Sequence, residues 1–221
     1  MSGRPRWPLA AMGACGLAFI AYTQAVTLGL VRGLDLEVAH LAASLWRPQV
    51  GVVAAAVALL GGPEVTGALT LAMALLLVRA GRPRAVWALL ALPIVVALEL
   101  VYKRAIFHPP PLRFAHTDGP SLVTIFAANT LTLGGSYPSG HIMRAILVYG
   151  CGAYLIRWLG PWMQMRRAAW PVMVSIVGAV ALDRIYLNVH WQSDVVGGLL
   201  LGGAALAGAV AWLDTLRAVE R

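Results

Sequence analysis

Acidic charge is scarce in this chain, with nine Asp and Glu residues among 221. Lysine is scarcer: Lys103 is the only one, against 16 arginines. Cysteine occurs twice, at Cys15 and Cys151, and charged residues of both signs make up only 12%. Each shortage excludes something. Two cysteines inside apolar stretches form neither a disulfide framework nor a zinc-ligand spacing, and read as small buried hydrophobes. So few charges cannot solvate a soluble globule. The net charge of +8 does not mark a nucleic-acid binder, because the arginines flank apolar spans instead of lining one stripe.

Apolar residues are abundant, at 60%, with a mean hydropathy of +0.77. That composition predicts an all-α polytopic membrane protein, a six-transmembrane-helix bundle, with residues 1–221 read as one membrane-embedded domain. The six spans are placed at about 9–31, 63–78, 85–107, 139–159, 168–187 and 191–213. The first follows Arg4 and Arg6 and is long for the apolar core of a signal peptide, so it reads as a retained signal-anchor. The second has two candidate starts, near 63 or earlier, because 50–60 is also apolar; Gly61, Gly62 and Pro63 break the 50–78 stretch, which makes 50–60 a candidate separate short helix. Residues 35–46 are amphipathic, and Leu36, Ala39, Ala43 and Trp46 share one face. This helix is expected to lie flat on the membrane surface.

Arginines orient the bundle. With the N-terminus in the cytoplasm, Arg4, Arg6, Arg79, Arg82, Arg84, Arg157, Arg166, Arg167, Arg217 and Arg221 fall on the cytoplasmic side, 10 of the 17 basic residues. The positive-inside rule then favours this orientation. It is expected for a cell membrane of bacterial type.

Two polar segments interrupt the apolar pattern: PSGH at 138–141 and DRIYLNVHWQSD at 183–194. Residues 142–182 between them suffice for two crossings, so both segments meet at one membrane boundary, on the outer side. Polar groups gathered there are expensive and point to function. Pro138 and Gly140 favour a turn feeding a helix, whose N-terminus is a ready anion site. Ser139 adds a hydroxyl donor. His141 is placed to protonate a leaving oxygen. Arg184 offers a planar fork for a phosphate, and Lys103 offers a compact point charge. His190 and Asp194, four residues apart, are expected on one helix face, where the carboxylate would orient the imidazole as a nucleophile. His40, His108 and His116 read mostly as solvated loop or interfacial residues, with His108 a candidate for substrate contact.

These segments resemble the type-2 phosphatidic acid phosphatase family, related in fold to vanadium haloperoxidases. The family pattern is KxxxxxxRP, then PSGH, then SRxxxxxHxxxD. Lys103 opens the first motif, residues 138–141 match the second, and Arg184, His190 and Asp194 match the third in register. The resemblance implies that His190 attacks phosphorus to form a phosphohistidine, oriented by Asp194, while His141 protonates the leaving group. Lys103, Ser139, the Gly140 N–H and Arg184 would hold the phosphoryl oxygens. It implies no metal and no cofactor. Two positions depart from the pattern: Pro110 stands where the family has arginine, and Asp183 where it has serine. Arg104, Arg113 and Arg144 are the candidates to replace the lost guanidinium. Arg144 is the first choice, one turn past His141, with Asp183, Glu99 or substrate as its partner.

The activity implied is hydrolysis of a lipid phosphate or diphosphate: an isoprenoid diphosphate, phosphatidate or phosphatidylglycerophosphate. Membrane lipids are the expected partners, nucleic acid is not, and a homo-oligomer is compatible with the pattern. Two rival readings remain. One is a family member that binds lipid phosphates or transfers the phosphoryl group, motivated by Pro110 and Asp183. The other is a small transporter, which would call for inverted repeats and mid-membrane polar residues beyond Glu99 and Arg144.

Overall fold

A computed structural model describes residues 7–111 and 135–220. Arg4, Arg6, Arg113, His116 and Arg221 lie outside the described residues. Among those described, the chain is helical throughout, without strands: α1 Trp7–Thr27, α2 Arg32–Leu45, α3 Pro48–Gly61, α4 Pro63–Arg79, a 3₁₀ stretch Pro83–Leu90 running into α5 Ala91–Ala105, then α6 Gly140–Leu159, α7 Met163–Tyr186 and α8 Gln192–Val219. Six segments are long and apolar enough to cross a bilayer: Trp7–Thr27, Pro48–Arg79, Pro83–Ala105, Gly140–Leu159, Met163–Tyr186 and Gln192–Val219. This is the all-α, six-span architecture expected from composition.

Helix α6 is the centre of the bundle. Of its apolar window, 61% is buried, against 17% for α1, which therefore sits at the periphery. Ile142, Met143 and Ala145 are sealed completely. Helices α7 and α8 pack against α6, and α1 packs along α8. The α6–α8 contact is close because small residues let the backbones approach. A Cβ on Gly202 would lie 2.2 Å from Ile146 Cγ2, and one on Gly198 would lie 2.8 Å from the Ser139 carbonyl.

The second span takes the earlier of its two expected starts, with the helix expected near 50–60 as its first part. The Gly61–Gly62–Pro63 interruption does not start the span at 63 but divides a 32-residue segment, Pro48–Arg79, into α3 and α4. Gly62 is extended (φ −67°, ψ 154°) and Pro63 opens α4, a position where a missing N–H costs nothing. A break inside the membrane exposes carbonyls that water cannot reach. Here the Tyr149 hydroxyl donates to Leu60 O at 2.9 Å, and Arg144 Nε donates to Gly61 O at 3.2 Å.

Helix α2 turns a different face to the protein from the expected one. Asp35 and Ala42 are its buried residues, while Leu36 and Ala43 are exposed. The seated face is thus Asp35, Ala39, Ala42 and Trp46, shifted from the one that the Leu, Ala and Trp spacing predicts. The shift follows from Asp35, which finds its hydrogen-bond partner inside the bundle (below). Arg79, Arg82, Arg84, Arg157, Arg166, Arg167 and Arg217 gather at the end of the bundle opposite to PSGH. There Arg82 pairs with Glu220 and lies 4.7 Å over the Trp158 ring.

Candidate active site

The two polar segments meet directly. Ser139 N–H donates to the carbonyl of Asp194 at 2.9 Å, which locks the turn before α6 to the first turn of α8. Asn188 makes the reversal between α7 and α8 with a φ of 51°, a left-handed conformation that Asn tolerates. His190 follows in the connector and Gln192 begins α8. His190 and Asp194 are therefore not on one helix face, as their spacing predicted. Trp191 is extended (φ −68°, ψ 155°), so the helix starts two residues later than His190. Asp194 stands in the first turn and reaches back: its Oδ2 accepts from Trp191 N–H at 3.0 Å and lies 3.0 Å from His190 Nδ1. A carboxylate only accepts, so His190 carries its proton on Nδ1 and presents an Nε2 lone pair. The side chain of His190 is 11% exposed. Burial holds its pKa below the ordinary 6.5, against the opposing pull of Asp194, while Lys103 and Arg184 lower it further.

Around this pair stand the cations. Arg184 is almost wholly buried and donates through Nε to Asp183 Oδ2 at 2.8 Å. Lys103, in the last turn of α5, donates to Glu99 Oε1 at 2.7 Å. Arg144 donates to the other Glu99 oxygen at 2.8 Å, and its Nη2 lies 3.4 Å from His141 Nδ1. Glu99 is thus the partner of Arg144, and Asp183 is the partner of Arg184. Arg184, Arg144, His190 and Lys103 all act electrostatically on His141. Arg104 is exposed, as is Pro110.

The start of α6 does hold an anion. The Glu99 carboxylate lies so close to Gly140 that a Cβ there would be 2.0 Å from Oε1. Lys103 and Arg144 flank it, at a helix N-terminus whose dipole favours negative charge. Ser139 Oγ points into the same buried region with no hydrogen-bond partner among the described residues. Eight of the nine expected site residues therefore converge: His190, His141, Asp194, Lys103, Ser139, Gly140, Arg184 and Arg144. Arg113 lies outside the described residues.

Sequence reasoning missed Asp35 and misplaced His108. Asp35 is fully buried and accepts from Ser193 N–H at 2.9 Å and Ser193 Oγ–H at 2.8 Å. Burial raises its pKa, and the two Ser193 bonds oppose that rise. His108 is 8% exposed, not solvated, with Nε2 3.2 Å from Ser193 Oγ. The signal for Asp35 was its rarity: four of the chain's nine acidic residues, Asp35, Glu99, Asp183 and Asp194, are buried here.

A model of the PAP2 superfamily matches residues 84–218, more than half of the chain, and this match contains every motif above. The chain belongs to the PAP2 superfamily. Among curated proteins, this PAP2 chain is 35% identical over 68 residues to a phosphatidylglycerophosphatase B of Bacillus subtilis, covering 30% of this chain and 34% of that protein. It is 37% identical over 68 residues to an undecaprenyl-diphosphatase of Sulfolobus acidocaldarius, covering 30% and 28%. The matched stretch thus spans about a third of each relative's length. Among solved structures, it matches a transmembrane PAP2 type phosphatidylglycerolphosphate phosphatase from Bacillus subtilis at TM-score 0.78 and 21% identity, over 93% of this chain and 97% of that one. The shared fold is that of a multi-pass membrane protein.

Proposed function

We propose that this PAP2 protein is an integral membrane phosphatase that hydrolyses a lipid phosphate or diphosphate through a phosphohistidine on His190. The observation that carries the reading is the His190–Asp194 pair at 3.0 Å beside a cation-lined helix start. Nδ1 of His190 is committed to Asp194, so Nε2 is the atom free to attack. Attack forms an N–P bond and breaks the bond from phosphorus to the leaving oxygen, which takes a proton from protonated His141. Water then cleaves the N–P bond, giving its proton back to His141. Lys103, Arg184, Ser139 Oγ and the N–H groups opening α6 stabilise the charge on the phosphoryl oxygens. No metal is needed for this sequence.

The relatives are named for phosphatidylglycerophosphate and undecaprenyl diphosphate. Both are phosphates on long apolar tails, and a site at the end of the bundle lets such a tail remain in lipid. With seven described arginines at the opposite end, the positive-inside rule supports a site on the outer face of a cell membrane.

The test is phosphate release by detergent-purified protein from a panel of isoprenoid diphosphate, phosphatidate and phosphatidylglycerophosphate. Release should occur equally with and without EDTA, and vanadate should inhibit it as a five-coordinate mimic of phosphorus. Loss of activity in EDTA would replace this account with a metal enzyme.

A further inference from the structure

Asp35 lies on the surface helix α2, far in sequence from every motif, yet it is sealed from solvent against the start of α8. As a carboxylate it can only accept. The hydroxyl proton of Ser193 therefore points at Asp35 Oδ2, 2.8 Å away, and leaves Ser193 Oγ with lone pairs alone for its other neighbour. That neighbour is His108 Nε2 at 3.2 Å. Two acceptors cannot bond, so His108 carries its proton on Nε2. The same Nε2 lies 3.4 Å from Asp194 Oδ1. This is the carboxylate oxygen that His190 and Trp191 do not use. It is buried and makes no hydrogen bond among the described residues, so the His108 contact is one of charge alone.

We propose that Asp35 is a positioning residue for the His190–Asp194 pair: through Ser193, which takes the Nε2–H of His108, it holds the polar edge of the His108 ring 3.4 Å from Asp194 Oδ1. His108 has little freedom to turn away. Its carbonyl accepts from Ser136 N–H at 2.8 Å and Ser136 Oγ at 2.9 Å. Its ring meets Tyr137 and Trp191 edge-on, with centroids 6.2 and 6.4 Å apart. With donors on Oδ2 and the partial positive charge of the His108 Nε2–H beside Oδ1, Asp194 keeps one orientation and holds the Nδ1 proton of His190. A contact of 3.4 Å is of the kind that tightens when a catalytic site engages substrate. The chain of contacts also fixes which face α2 presents to the bundle.

The catalytic consequence rests on the phosphatase reading, and the tautomer of His108 does not. Two measurements on the full chain in detergent separate them. Ser193→Ala keeps the backbone bond to Asp35 and removes only the hydroxyl, so the helix cap survives. It should lower kcat by about 10-fold to 100-fold, the loss expected for one hydrogen bond to a charged group, with KM little changed. Asp35→Asn should do the same, and adding it to His108→Ala should cost nothing further, because the two act in one chain. Ring ¹⁵N shifts of His108 should report Nε2–H in the wild type and Nδ1–H in Asp35→Asn. Wild-type kcat in folded Ser193→Ala, additive losses in the double variant, or an Nδ1–H tautomer in the wild type would each overturn the proposal. Absence of phosphate release from the wild type would count against the phosphatase reading, and the ¹⁵N shifts would still decide the role of Asp35.

Discussion

Residue chemistry at this site is set by which atoms are already committed. His190 Nδ1 faces Asp194, Lys103 and Arg144 share Glu99, and Arg184 is held by Asp183. In the proposed mechanism only neutral His190 attacks, and burial holds its pKa below the ordinary 6.5. Protonation therefore removes the nucleophile on the acid side alone, and the acid limb of kcat/KM should fall below pH 6.5. A limb centred well above that value would contradict the burial of His190. Arg144→Ala should lower kcat/KM by about 10²–10³-fold, the loss expected for one transition-state donor. The reason differs from the one the missing arginine at Pro110 suggested, since Arg144 sits beside His141 and shares an anion with Lys103. Unchanged kcat/KM in a folded Arg144→Ala protein would remove it from the site. Much of this was legible in sequence. PSGH and RIYLNVHWQSD marked in the sequence the residues that the fold brings together, although His190 and Asp194 meet across a helix start and not on one helix face. Glu99 was among the partners named for Arg144, but Asp35 was not legible, since it reaches Ser193 across 158 positions and nothing local marks that pairing.

Elements bring these residues together through close backbone approach. The turn at Ser139 bonds to Asp194 O only because α6 and α8 meet at Gly198 and Gly202. Gly202→Ala should therefore be costly, by about 1–3 kcal/mol of overpacking, because the new methyl would meet Ile146 and the Met143 backbone. Thermal unfolding in detergent would read this, and wild-type Tm would show that the helices can part cheaply. The broken second span sets a second test. Tyr149→Phe would leave Leu60 O buried without its donor, at a cost of about 1–3 kcal/mol. The span boundaries followed from hydropathy, and the break at Gly61–Pro63 was visible, but the pattern left open whether 50–60 belongs to the span. Glycine and proline mark an interruption without saying whether the chain beyond it continues through the membrane. The α2 face was misjudged for a related reason: apolar spacing ranks Leu36 above Asp35, and only the tertiary partner reverses that order.

Among the described residues, charge divides between two ends, with seven arginines at one and His108, His141, His190, Lys103, Arg144, Arg184 and the buried carboxylates at the other. A reporter active only in the cytoplasm should work when fused in the 160–162 connection and fail near 135–138. The reverse pattern would turn the site inward. An apolar cleft of about 790 Å³, lined by Leu69, Met73, Val148, Tyr149, Met165 and Met173, opens between α4, α6 and α7 and contains none of the site residues. Volume alone would thus point away from the chemistry. The central claim is that His190 carries the phosphoryl group between lipid and water. It is tested most directly by mixing the purified protein with a lipid phosphate labelled with ³²P, quenching within one turnover in alkali, and locating the label. The account predicts an acid-labile phosphohistidine at His190, absent from His190→Ala. Release of labelled phosphate by His190→Ala, or label on any other residue, would contradict it.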